Sequence, residues 1–271
     1  MNARIRRGFV AVAALAALAA GSLPATAQSS TTSNLDISLC SPQDHAFTLN
    51  IDNGFLPLAG ATWTLVGPDV DGVHGLLVSD LHQTRSFTQA GWGHTVSTEV
   101  IEEREWLDNG DGIWNPATEN LLEVSRNFYA QTATGTQPGT VCYFGEDVDI
   151  YDGAGNTDSH ISAHTGAWNA GDPANQPGIF MPAAPKSGQH YYEESAAPIA
   201  TDQASIIGVG TTSVPYGSFP NAIRVKEFTS LERGKEYKSY APGGVGPLID
   251  DTLLRCNPGP NCSGSAAAPR R

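Results

Sequence analysis

The chain lacks any complete catalytic signature. There is no Gly-x-Ser-x-Gly elbow, and the nearest approach, Tyr216-Gly217-Ser218-Phe219-Pro220, has no second glycine, so Ser218 reads as a turn residue. No glycine-rich loop of the kind that cradles phosphates is present. Basic residues are scarce: Lys and Arg number 15 against 28 Asp and Glu, a formal net charge of −13. A surface this acidic repels phosphodiester backbones and anionic headgroups, which excludes nucleic acid and anionic membrane surfaces as partners and leaves cations and neutral ligands open. Long apolar stretches with helical spacing are also missing.

What is present begins with an amino-terminal leader. Arg4, Arg6 and Arg7 precede an apolar run from Phe9 to Ala20, and the small-residue triplet Ala25-Thr26-Ala27 follows. This is the layout of a secretory signal peptide over residues 1–27. The run is too short to span a hydrocarbon core of about 30 Å, which takes roughly 20 helical residues. Nothing later offers a second apolar span, and no cysteine stands where a lipoprotein would be acylated, so the expectation is a secreted or periplasmic protein with no stable membrane insertion. Removing the leader takes away three arginines and no acid, making the exported chain more acidic still.

Four cysteines remain: Cys40, Cys142, Cys256 and Cys262. Export into an oxidising compartment favours disulfides over a thiolate metal site, which is the alternative. The short loop Cys256 to Cys262 is the easiest to close on itself, which suggests Cys256–Cys262 and, with it, Cys40–Cys142. Paired thiols leave no free nucleophile for cysteine-protease chemistry.

Short β-branched and aromatic runs punctuated by Gly, Pro, Asn and Asp predict an all-β chain. Examples are Ala61 to Val66, His94 to Arg104, Leu121 to Tyr129, Val141 to Tyr151 and Ala222 to Thr229. Only Ala196 to Ile207 admits a short helix. Residues 28–35 and 263–271 lack apolar side chains to bury and read as a disordered linker and tail. Between them, 36–262 forms one β domain.

An internal echo divides that domain into related halves, about 47–155 and 156–255. Pro57, Gly60 and Trp63 recur as Pro185, Gly188 and Tyr191, and Tyr129-Ala130 recurs as Tyr240-Ala241. The first half carries an extra loop, Asp108 to Asn120. Duplicated antiparallel meanders would pack as an open barrel or a sandwich, because a lone sheet leaves one apolar face wet, and such a pair leaves room for a ligand between its halves.

Several residue sets could carry chemistry. In the extra loop, Asp108, Asn109, Asp111 and Glu119 offer oxygen donors suited to Ca²⁺, although the glycine falls one place early for an EF-hand. A hairpin tip with ordinary Asx-turn chemistry is the alternative. His160 and His164 lie too far apart on a strand to share an ion. Glu146 and Asp147 should face opposite sides of a regular strand. Glu146, Glu194 and His164 are the candidate catalytic groups, while Trp168, Tyr191 and Glu193 are candidates for holding a ligand.

The segments Asn50-Ile-Asp-Asn-Gly-Phe-Leu-Pro-Leu58, Tyr143-Phe-Gly-Glu-Asp-Val148, Gly166-Ala-Trp-Asn-Ala-Gly171, Pro177-Gly-Ile-Phe-Met-Pro182, Val214-Pro-Tyr-Gly-Ser-Phe219 and Tyr240-Ala-Pro-Gly-Gly-Val-Gly246 resemble a family of exported bacterial β-rich proteins without an assigned activity. A looser similarity links the chain to periplasmic half-barrels that carry lipids or lipoproteins. The first resemblance spans about residues 47 to 250 and hands over no catalytic residues. The insertion at Asp108 to Asn120 and the additional glycine at Gly243-Gly244 depart from its pattern. The expectation is an exported binding protein that holds an apolar or glycan ligand, small molecule or lipid, between two β halves. The alternatives are a secreted polysaccharide hydrolase or lyase and a structural envelope protein.

Overall fold

A computed structural model describes residues 33–69, 72–109, 115–152, 160–231 and 233–257. The expected signal peptide, the carboxy-terminal tail, Asp111 and Cys262 lie outside the described residues. The described chain is all-β: its one helical element is the 3-10 turn Ile37–Cys40. The helix admitted at Ala196 to Ile207 is not formed. Ala196 and Ala200 instead close a turn through an isolated bridge, and Gln203 begins a strand. Ser33–Asn34, expected within a disordered linker, pair in parallel with Gln189 and His190.

The wall is built from β1 (Thr62–Asp69), β2 (Gly72–Phe87), β3 (Val96–Leu107), β4 (Asn120–Thr132), β5 (Val141–Tyr151), β6 (Gln176–Met181), β7 (Gln189–Tyr192), β8 (Gln203–Val214), β9 (Gly217–Phe228), β10 (Glu236–Ala241), β11 (Gly246–Asp250) and β12 (Leu253–Cys256). Two consecutive meanders, β1 to β5 and β7 to β12, join where β12 pairs antiparallel with β1, Leu254 opposite Val66. At the far end β6 pairs with β5, Gly178 opposite Tyr143. The remaining seam is narrow: Gln176 and Pro177 of β6 meet Ser195 and Glu194, just beyond β7, over those two pairs. The result is one large mixed sheet curled into an open barrel. At the seam a Cβ on Gly178 would come within 1.9 Å of the Glu193 carbonyl oxygen, so the close approach requires glycine there.

Strand alternation sends successive side chains to opposite faces of this wall. The outer face of β4 and β5 carries a packed aromatic layer: Phe87 lies 5.4 Å from Phe128, and Phe144 lies 5.3 Å from Phe47 and 6.2 Å from Trp92. The amino-terminal segment lies over it, and the expected bridge between Cys40 and Cys142 fastens that segment to β5 with a Cα–Cα distance of 5.6 Å. Cys256 has no free thiol either. Farther along the same outer face, Arg126 reaches Asp149 at 2.9 Å and Glu102 at 3.2 Å, Arg104 reaches Glu102 at 2.7 Å, and Arg85 pairs with Asp147.

The Cys40–Cys142 bridge closes 102 residues of sequence. Replacing both cysteines by alanine is therefore expected to cost about 2–5 kcal/mol, measured by denaturant unfolding. An unchanged midpoint would show that the aromatic layer holds the segment without it.

Candidate functional site

Inside the curled sheet lies a cavity of about 570 Å³. Part of its lining is apolar, with Leu56, Leu58, Trp63, Leu65, Val78 and Phe180, and the exposed Ile199 and Leu231 also border it. The acidic part lies beside the apolar one, Val78 of β2 standing directly opposite Glu103 of β3. Alternation delivers Glu103 and Glu105 from β3, Glu123, Ser125, Asn127 and Tyr129 from β4, and Glu236, Lys238 and Tyr240 from β10. Glu193, Glu194, Asp202, Glu227, Asp250 and Asp251 add to them.

Regular alternation does not explain how Tyr143 and Glu146, three residues apart on β5, both line the cavity. Between them the register with β4 slips: Tyr129 faces Tyr143 while Asn127 faces Glu146, so Phe144 and Gly145 stand opposite Phe128 alone. Gly145 has φ 128°, and a Cβ there would meet the Trp168 carbonyl oxygen at 2.3 Å. The bulge re-phases the strand. Phe144 joins the outer aromatic layer, Glu146 turns inward, and Asp147 turns outward to Arg85.

Among the described residues, eleven carboxyl side chains thus line the cavity against one lysine, one histidine and no arginine. Lys238 Nζ stands 2.8 Å from Glu227 and 3.7 Å from Asp250, and His74 Nδ1 lies 2.8 Å from Glu105. Burial alone would push the Lys238 ammonium down, but Asp250 and Glu227 hold it well above the ordinary lysine value. Desolvation dominates for the acids. It raises Glu103 to about 8, against the pull of Lys238 and with Asp250, Glu146 and Glu123 adding to the rise. Glu236 is likewise raised to about 8 by burial, with Asp250, Glu227 and Asp251 reinforcing it. Glu193 and Glu227 are driven up for the same reason, Glu193 also by the neighbouring Glu227. Within this lining, Asn127 Nδ2, whose amide oxygen accepts from the Tyr143 hydroxyl, and Glu227 Oε1 have no hydrogen-bond partner.

The structure gathers part of the site expected from sequence. Glu146, Glu193 and Glu194 share the cavity, while His164 does not: it is exposed on the outer side, with Nδ1 2.9 Å from both Asp149 Oδ1 and the Val148 carbonyl oxygen. Trp168 is buried and offers no open face; its Nε1–H donates to Glu194 Oε1 at 3.1 Å and its ring packs edge-on to Tyr143. Tyr191 is 1 % exposed and lies behind the lining, near Glu193 and Tyr240. In the extra loop, Glu119 is fully buried and its two oxygens accept from the backbone N–H groups of Asn109 and Asn115, so its carboxylate closes the loop itself.

Among the described residues, the set that brings three metal-ligating atoms within 4.8 Å of one another is Asp80, His82 and Glu99, outside the cavity. Asp80 there already accepts from the backbone N–H groups of Gly60 and His82. Three donors fall short of the six to eight oxygens calcium takes. Glu103, Glu123, Glu227, Glu236 and Lys238 were missed as site residues from sequence. The usable signal was an acid or lysine at alternate positions of otherwise apolar strands. Compared with known proteins, the chain matches no family model, no curated protein and no solved structure.

A carboxyl that holds its proton to about pH 8 in the folded chain but ionises near 4.5 when unfolded favours the folded state fully below the lower value. That contribution is lost as pH rises through 8. Stability should therefore fall between about pH 5 and pH 9. Glu103→Gln should leave the melting temperature unchanged at pH 4.5 and raise it at pH 9, at roughly 1.4 kcal/mol per pKa unit relieved. Equal effects at both pH values would contradict the assignment.

Proposed function

We propose that the protein is an exported binding protein whose barrel interior holds a small polar ligand. The observation that carries this reading is the half-open space itself, sized for a molecule of drug-like dimensions and faced by an amide donor and a carboxylate oxygen without partners. Buried polar groups without partners cost stability, of the order of 1–3 kcal/mol each, and a polar ligand would satisfy them. Carboxylates arrayed with Tyr129, Tyr143 and Trp63 suit hydroxyl groups and ring faces, so the glycan side of the expectation is favoured over the apolar one. A fatty chain would leave the acids desolvated beside it. Among the described residues no helix is long and apolar enough to cross a membrane, and the bridged cysteines fit an oxidising compartment; export is proposed on the leader.

A hydrolase or lyase reading keeps one supporting observation. Glu146, Glu193 and Glu194 share the cavity with Glu103, whose raised pKa suits proton donation. His164 has no part in it. Polysaccharide turnover lost on Glu194→Gln would favour this reading.

For binding, thermal melts against panels of sugars, polyols, amines and fatty acids should give a concentration-dependent rise for polar compounds and none for fatty acids. At a ligand concentration of 100 times Kd the stabilisation is about 2.7 kcal/mol. Ser125→Trp, which fills the cavity from β4, should abolish the rise. A rise that survives Ser125→Trp would place the ligand elsewhere, and no rise with any compound would sink the proposal.

A further inference from the structure

We infer that the cavity selects a small organic cation, a primary ammonium carried on a hydroxyl-bearing skeleton, and that its carboxylates set that choice. The inference rests on the cavity being a ligand site and adds the sign and chemistry of the ligand.

The first observation is a charge imbalance confined to the interior. Outside, Glu102, Asp147 and Asp149 are matched by Arg85, Arg104 and Arg126. Inside, among the described residues, eleven carboxyl groups face Lys238 and His74, and both of these are already engaged, by Glu227 and Asp250 and by Glu105. Carboxylates in a low-dielectric space need either protons or cations. A cation from outside supplies what the chain itself does not.

The second observation fixes the shape of that cation. Glu227 Oε1 has no donor, and Asn127, only 4 % exposed, has an amide N–H group with no acceptor. An ammonium brings three donors and no acceptor, which suits Glu227 and leaves Asn127 wanting. A hydroxyl or ether oxygen on the same molecule answers Asn127.

A bare metal ion fits less well. Among the described residues, no three cavity acids bring ligand atoms within 4.8 Å of one another; the triplet that meets this lies outside, at Asp80, His82 and Glu99. Dispersed carboxylates are bridged by a molecule of several atoms, not by one ion.

Binding should displace protons. Glu103 is faced by Glu123 of β4, Glu146 of β5, Lys238 of β10 and Asp250 of β11, and Glu236 by Glu227, Lys238, Asp250 and Asp251. With one lysine among these neighbours, both acids keep their protons to about pH 8. An arriving cation favours the ionised forms, so protons leave as it enters and affinity tightens from about pH 6 to pH 8, while an aliphatic ammonium stays charged to near pH 10.

The test is calorimetric titration of the exported protein with glucamine and with sorbitol, the same polyol skeleton with and without the amine, in two buffers of different ionisation enthalpy. Glucamine should bind at least about tenfold more tightly than sorbitol, with a heat that differs between the buffers, and Glu227→Gln should weaken glucamine by about tenfold with little effect on sorbitol. Should that variant fail to fold, Glu103→Gln serves, and is expected to cut the number of protons released. Equal affinity for the two compounds would overturn the cation and leave the polar-ligand reading standing. Calcium chloride binding in the cavity in place of glucamine would overturn the organic cation, and binding of neither compound, nor of calcium, would overturn both readings.

Discussion

Among the described residues Lys238 is the single ammonium in a cavity lined by eleven carboxyl groups, and the rest of the structure is organised around that imbalance. Moving an ionised carboxylate out of water costs far more than one lysine returns. The interior is therefore held by two devices together: the Glu227–Lys238–Asp250 ion pairs, and protons retained on Glu103 and Glu236. Neither contributes to stability in the way apolar side chains at these positions would. Retaining so many acids there makes sense as a site, where a protein gives up stability for chemistry.

The scaffold tolerates this because its apolar packing lies elsewhere. The aromatic layer between Phe47, Phe87, Trp92, Phe128 and Phe144 sits on the outer face of β4 and β5 beneath the amino-terminal segment, and the Cys40–Cys142 bridge fastens that cover. A second apolar group, with Leu56, Leu58, Trp63 and Phe180, lines part of the cavity. The two-pair seam at Gln176 and Pro177, which depends on Gly178, is a narrow join.

The all-β class was legible in the sequence because short β-branched runs with turn residues have little other reading, and the Cys40–Cys142 pairing followed from loop closure. Which face of each strand points inward was not. In Glu102-Glu103-Arg104-Glu105 both faces are polar, so the period of two separates Glu103 and Glu105 from Glu102 and Arg104 without saying which pair is enclosed. Only the closing of the sheet decides it. Gly145 within an apolar strand was the available hint of a bulge, and it is the bulge that sends Glu146 inward beside Tyr143. Trp168 and Tyr191 were singled out as aromatics near acids. Trp168 instead holds Glu194 through its indole N–H, and Tyr191 is buried behind the lining. His164 was a candidate catalytic histidine, but it lies outside the cavity, against Asp149 and the Val148 carbonyl.

Site-resolved carboxyl titration by nuclear magnetic resonance tests the central claim most directly. With side-chain carboxyl carbons of the glutamates labelled and assigned through Glu103→Gln and Glu236→Gln, both groups should titrate with midpoints near 8 in the ligand-free protein. Midpoints at the ordinary glutamate value near 4.5 would mean that these side chains face water, and that no enclosed acidic cavity exists.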